Sequence, residues 1–143
     1  MILISYGTRP EWIKVKPILD KLTMPYKVLF TGQHEDISQG SYDIKIKFPE
    51  CENRLDAAFA AIAQSKDVFK DVSYVLVQGD TASALAIAMA AFHRNIKIIH
   101  LEAGLRSFNL EHPFPEEFYR KTISSIANVH LCPTFNNASN ILK

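Results

Sequence analysis

Tyr74-Val75-Leu76-Val77-Gln78-Gly79-Asp80-Thr81, followed by Ala82 to Arg94 and then Lys97-Ile98-Ile99-His100-Leu101, is the stretch that decides the fold. Both short runs are apolar along their length rather than alternating with polar residues, as expected of strands covered on both faces. Between them Ala82 to Phe92 is apolar and mostly alanine. It starts behind Asp80 and Thr81, either of which can cap a helix by accepting its free N–H groups. Strand, turn, helix and strand in this order make a parallel βαβ unit.

Outward from that unit the pattern repeats. Ile2 to Tyr6, Tyr26 to Phe30 and Val129 to Cys132 read as further strands. Pro10 to Leu22, Leu55 to Gln64, Thr81 to Arg94, Glu116 to Ala127 and a short stretch after Phe135 read as helices. Leu55, Ala58, Phe59, Ile62 and Ala63 recur at helical spacing. Pro17 should bend the first helix, because it lacks an N–H and its ring crowds the turn before it. Ile37 to Asn53 carries mixed signals and is assigned no element. No repeat, low-complexity tract or Pro/Gly-rich linker divides the chain. The expectation is one α/β domain, a doubly wound parallel sheet of Rossmann-like type.

The 143 residues are enough for one well-buried core. Sixteen basic against fifteen acidic side chains give a net charge of +1, so no excess field holds a polyanion and nucleic acid is not an expected partner. The longest apolar segment falls short of the ~20 residues that cross a bilayer, and Met1 runs into Ile2 to Tyr6 without a charged region before it, so neither a membrane span nor an export signal is expected. Cys51 and Cys132 stand alone, without the clustered Cys or His that would give zinc its ligands. That usage fits a reducing, cytoplasmic compartment, with no metal.

In doubly wound sheets ligands bind outside the carboxyl ends of the strands, where helix N-termini offer unpaired N–H groups. The chemically informative residues fall there. Gly7 permits a tight turn, and Arg9 brings a guanidinium beside a helix start, where phosphate can be held by charge and backbone together. Asp80 alone reads first as a helix cap. Glu102 ends a buried strand, where an unpartnered carboxylate is costly, so it needs a partner or a role. His100, single in an apolar strand, reads as a core histidine. Glu116 and Glu117 stand in a helix's first turn, where the dipole favours acids. Asp80, Glu102 and one of these glutamates are expected to converge at one edge of the sheet, where repulsion and burial separate carboxyl groups into acid and base roles. No GxGxxG, GxSxG or GxxxxGK[ST] string occurs, and His100-x-Glu102 with Cys132-Pro133 lacks the PCxxC of zinc deaminases.

Taken together, Gly7-Thr8-Arg9-Pro10-Glu11, Thr31-Gly32-Gln33-His34, Gln78-Gly79-Asp80-Thr81, His100-Leu101-Glu102-Ala103-Gly104-Leu105-Arg106-Ser107 and Pro113-Phe114-Pro115-Glu116-Glu117 resemble the non-hydrolysing UDP-N-acetylglucosamine 2-epimerases. Thr8 and Glu11 favour that branch over the hydrolysing and diacetylated uronic-acid relatives. The resemblance implies the N-terminal half of a GT-B architecture, two Rossmann-like domains facing across a cleft, with the C-terminal nucleotide-binding domain absent from residues 1–143. It implies a UDP-sugar substrate, no metal or nicotinamide cofactor, and a homodimer for the completed protein. It implies a reaction in which a base removes the C2 proton as UDP leaves C1, giving a 2-acetamidoglucal to which UDP adds back after reprotonation on the other face. By the same resemblance Asp80, Glu102 and Glu116 handle protons, while Arg9, Lys14, Arg106, Arg120 and His34 meet phosphate or sugar. Tyr119 stands where the family usually has Asn before the Arg, and the stretch Ile37 to Asn53 is shorter than usual. Two rival functions carry the same fold: the acceptor-side half of a split GT-B glycosyltransferase, and a non-catalytic assembly module whose acids only cap helices.

Overall fold

The computed structural model describes residues 1–33, 40–47, 49–63 and 67–142. In chain order its elements are β1 (Ile2–Tyr6), α1 (Arg9–Leu19), β2 (Tyr26–Phe30), β3 (Ile44–Lys45), α2 (Arg54–Ala63), β4 (Tyr74–Gln78), α3 (Ala82–Phe92), β5 (Lys97–Leu101), α4 (Glu116–Ile126), β6 (Val129–Leu131) and α5 (Phe135–Ile141). The strands form one six-stranded sheet in the order β3-β2-β1-β4-β5-β6, with every neighbour parallel. The doubly wound expectation therefore holds. The strand not foreseen is β3, two residues long, which pairs with Leu29 and Phe30 inside the stretch that carried mixed signals.

The uninterrupted apolar strands follow from coverage on both faces. Along β1, Ile2 and Ile4 pack with Val15 of α1, and the Tyr6 ring meets Trp12 of the same helix at a tilt of 41°, centroids 4.8 Å apart. Leu3 points the other way, into the cluster built with α2, α3 and α4. A strand buried this way needs no polar alternate. On that second side α3 lies between α2 and α4, and its alanines let sheet and neighbouring helices approach closely.

Helix starts are set as the sequence suggests, with one substitution of roles. Thr81, not Asp80, caps α3 by accepting from Ala84 N–H at 3.0 Å. Thr8 caps α1 in a reciprocal box with Glu11, and Thr134 caps α5. The first helix runs on through Pro17 but closes at Leu19 rather than Leu22, so the proline sits in its last turn. No helix among the described residues is long and apolar enough to cross a membrane.

The sheet order reverses between β1 and β4, because the chain leaves β1 toward β2 and later returns to place β4 on the other side. Loops leaving adjacent strands in opposite directions open a crevice at that point, the usual ligand position of such sheets. Gly7-Thr8 and Gly79-Asp80-Thr81 border it.

The core carries the stability. Leu85 on α3 is 1% exposed, whereas Phe92 at the end of the same helix is 54% exposed. Leu85→Ala is expected to cost about 2–5 kcal/mol. Phe92→Ala should change stability by no more than about 0.5 kcal/mol. Urea unfolding of the two variants measures both, and similar losses would contradict this layering.

Candidate active site

A buried carboxylate joins the two loops at the crevice. Glu11, 2% exposed, accepts from the N–H groups of Gly7 (2.8 Å) and Thr8 (2.6 Å) and from the hydroxyl of Thr81 (2.8 Å). Burial pushes its pKa up, against these hydrogen bonds, which pull it down. Beside it the chain has no room to spare: a Cβ on Gly7 would run into Thr31 Oγ1 and Ser83 Oγ. The sequence signal for this clamp is Thr8-x-x-Glu11, a capping-box spacing.

Asp80 lies in this turn, and its Oδ2 accepts from Nε of Arg120 at 2.7 Å, with Nη2 of the same ion pair also at 2.7 Å. The same guanidinium donates through Nη1 to Glu117 at 3.4 Å. Glu117 has no exposed surface and also accepts from the N–H groups of Ser107 (3.0 Å) and Phe108 (3.1 Å). Burial alone would raise its pKa. The two N–H groups, Arg120 and nearby Arg106 together reverse the sign and hold it below the ordinary 4.5.

The adjacent glutamates thus divide their work. Glu117 is sealed in the fold, while Glu116 faces a cavity of about 550 Å³ that Asp80, Thr81, Gln33 and Arg54 also line, with Phe114, Phe118 and Tyr119 giving it an apolar wall. The Glu116 carboxylate has no hydrogen bond or ion pair among the described residues, unlike Asp80.

Glu102 stands apart from that cavity. It follows β5 directly with φ +65, accepts from Lys14 Nζ at 2.5 and 2.6 Å and from Gln78 Nε2 at 2.5 Å, and lines a second hollow with Lys14, Leu131 and Cys132. The expected convergence of three acids is therefore resolved into a pair, Asp80 and Glu116, and a separate acid, Glu102, which is joined through Gln78 to the strand that leads to Asp80. The partner that a carboxylate at Glu102 requires is Lys14.

Among the expected phosphate or sugar contacts, Arg9 is exposed at the start of α1 and borders neither hollow. Arg106 donates to the Leu105 carbonyl and to Ser124 Oγ, both at 2.8 Å. Lys14 and Arg120 are each already paired with acids. His34 lies outside the described residues. No group of three or more His, Cys, Asp or Glu side chains with metal-ligand geometry occurs among the described residues.

Fold and rim together define a Rossmann-like domain with carboxylates at the carboxyl ends of its strands, the usual ligand position of such sheets. Residues 19–143 match the family described as UDP-N-acetylglucosamine 2-epimerase, and the chain belongs to that family. Over 99% of its length it is 38% identical to the UDP-N-acetylglucosamine 2-epimerase of Campylobacter jejuni and 35% identical to that of Neisseria meningitidis, covering 41% and 42% of those proteins. It superposes with a TM-score of 0.90 and 34% identity on the crystal structure of the N. meningitidis protein bound to UDP-GlcNAc, covering 99% of this chain and 42% of that one. The Methanocaldococcus jannaschii protein in complex with UDP-GlcNAc and UDP gives 0.84 and 29%, with coverage of 99% and 42%. The chain thus spans about two-fifths of the length of these relatives.

The depressed pKa of Glu117 gives a pH signature. Its contribution to stability is present above 4.5, the ordinary value, and is lost as pH falls through the lower folded value. Glu117→Gln should be less stable than the native chain by about 2 kcal/mol at pH 7. The gap should narrow on acidification below 4.5. Urea midpoints of both proteins across this range test it, and a gap independent of pH would refute the assignment.

Proposed function

We propose that this chain is the proton-handling domain of a UDP-N-acetylglucosamine 2-epimerase, interconverting UDP-GlcNAc and UDP-ManNAc when a second Rossmann-like domain completes the cleft. The observation that carries the reading is the cavity shared by Asp80 and Glu116, two carboxyl groups in unlike surroundings at the ligand end of the sheet. Asp80 is ion-paired with the Arg120 guanidinium, while Glu116 has no ion pair among the described residues. Such a difference is what a division into acid and base requires.

In this reaction a carboxylate removes the C2 proton, the electron pair forms the C1=C2 bond, and the C1–O bond to UDP breaks. The reverse addition delivers a proton to the other face of C2 as UDP returns to C1. Asp80, Glu116 and Glu102 are the proposed proton carriers. Arg9 and Arg106 are proposed to meet the diphosphate or the sugar, as is His34. Lys14 and Arg120 act through the acids they pair with as much as through the substrate. The chemistry calls for no metal or nicotinamide, and the completed protein is proposed to be a cytoplasmic homodimer. The family match and the overlap with proteins solved with UDP-GlcNAc support the substrate, and the two-fifths coverage supports the need for a second domain.

Turnover of UDP-GlcNAc in deuterated water by this chain plus the complementary second domain is the decisive assay. Deuterium is expected at C2 of the product, and Asp80→Asn and Glu116→Gln should each lower kcat by about 10²- to 10⁴-fold. Sugar transfer without deuterium at C2 would assign the chain to a glycosyltransferase instead. Turnover by this chain alone would remove the case for a second domain.

A further inference from the structure

The two neighbours of Asp80 in the chain are each tied to a buried side chain from another element. On one side Gly79 adopts a left-handed conformation, φ +71, with its N–H donating to the Leu101 carbonyl at 3.0 Å. Its carbonyl accepts from Nε2 of His100 at 2.8 Å. On the other side Thr81 is anchored by its hydroxyl on Glu11. His100 is 1% exposed, so it does not reach the cavity that Asp80 lines.

We propose that His100 is a positioning residue for Asp80, holding the Gly79 carbonyl through Nε2–H so that the carboxylate is fixed between this tether and the Thr81–Glu11 anchor. The proposal rests on the epimerase reading for the use made of Asp80, though not for the tether itself.

The chemistry of the ring supports it. A carbonyl only accepts, so Nε2 must carry the proton. In the neutral ring Nδ1 is then a bare lone pair, and it is buried without a partner among the described residues. Protonation would place a second N–H there with nothing to receive it. Burial pushes the pKa down to about 4, opposed by the Gly79 carbonyl and Glu102 and reinforced by His130 of β6 and by Arg106. The ring is accordingly neutral at pH 7. A histidine serving only to fill the core would be replaceable by an apolar side chain of similar size. One acting through its N–H would not.

Two variants separate these roles. Gln sets an amide N–H close to the place of Nε2, and Leu offers none. In the chain completed by its second domain, His100→Leu should lower kcat by about 10- to 100-fold at unchanged KM, because a carboxylate displaced by a fraction of an ångström no longer meets C2 correctly. His100→Gln should restore most of the rate. In this chain by itself, long-range ¹⁵N–¹H spectra at pH 7 should show the neutral Nε2–H tautomer. An Nδ1–H tautomer, a cationic ring, or native kcat in the leucine variant would each overturn the proposal. Should the leucine variant fail to fold, the glutamine variant decides: retained kcat upholds the tether, and lost kcat in a folded protein overturns it. Should the native assembly show no turnover, the epimerase reading falls and the tautomer alone decides the tether.

Discussion

The rim of this domain depends on one cation placed between two acids. Arg120 reaches from α4 to Asp80 beyond β4 and to Glu117 on its own helix, and Glu117 in turn receives the backbone of Ser107 and Phe108. A carboxylate without exposed surface is tolerated only when paired and hydrogen-bonded, so Glu117 requires this guanidinium. The requirement fixes α4 against the β4–α3 turn. It also sets the 107–108 backbone beside them. Asp80 gains its place at the cavity through a charge that the fold needs for another reason.

Two buried glutamates show how surroundings, not residue type, set behaviour. Glu11 and Glu117 are both sealed from water and both accept backbone N–H groups. Glu117 has Arg120 within reach and Arg106 nearby, and its pKa falls. Glu11 has no cation among its contacts with the described residues, and desolvation prevails. Glu11 therefore works as a hydrogen-bond hub joining the β1–α1 and β4–α3 loops. Glu117 works as the counter-ion of the guanidinium.

The fold was largely legible because its signals are local. Apolar strands such as Val75 to Val77, the alanine run of α3 and its cap at Asp80 or Thr81 each declare themselves within a few residues. The short β3 did not, since two residues pairing only with Leu29 and Phe30 leave no periodicity. The sequence reading carried the first helix to Leu22, whereas it ends at Leu19, two residues past Pro17. At the rim, the sequence marked the strand-end loops and expected three acids to meet there, whereas Asp80 and Glu116 share a cavity and Glu102 lines another hollow. What escaped it were the pairings: Lys14 meets Glu102 across 88 positions and Asp80 meets Arg120 across 40. Such distances in sequence are closed only by the sheet order. For that reason the difference between Glu116, turned to the cavity, and Glu117, turned inward, was also invisible.

The enclosure of α3 has a consequence for how the domain comes apart. Nearly every residue of this helix is buried, so it has no wet face on which to survive alone, and its amides cannot meet solvent unless α2, α4 and the sheet separate together. Hydrogen exchange in α3 would then report opening of the whole domain, while the loops at the rim exchange through small local movements. The machinery at the strand ends can loosen and reset many times during the lifetime of a single intact core.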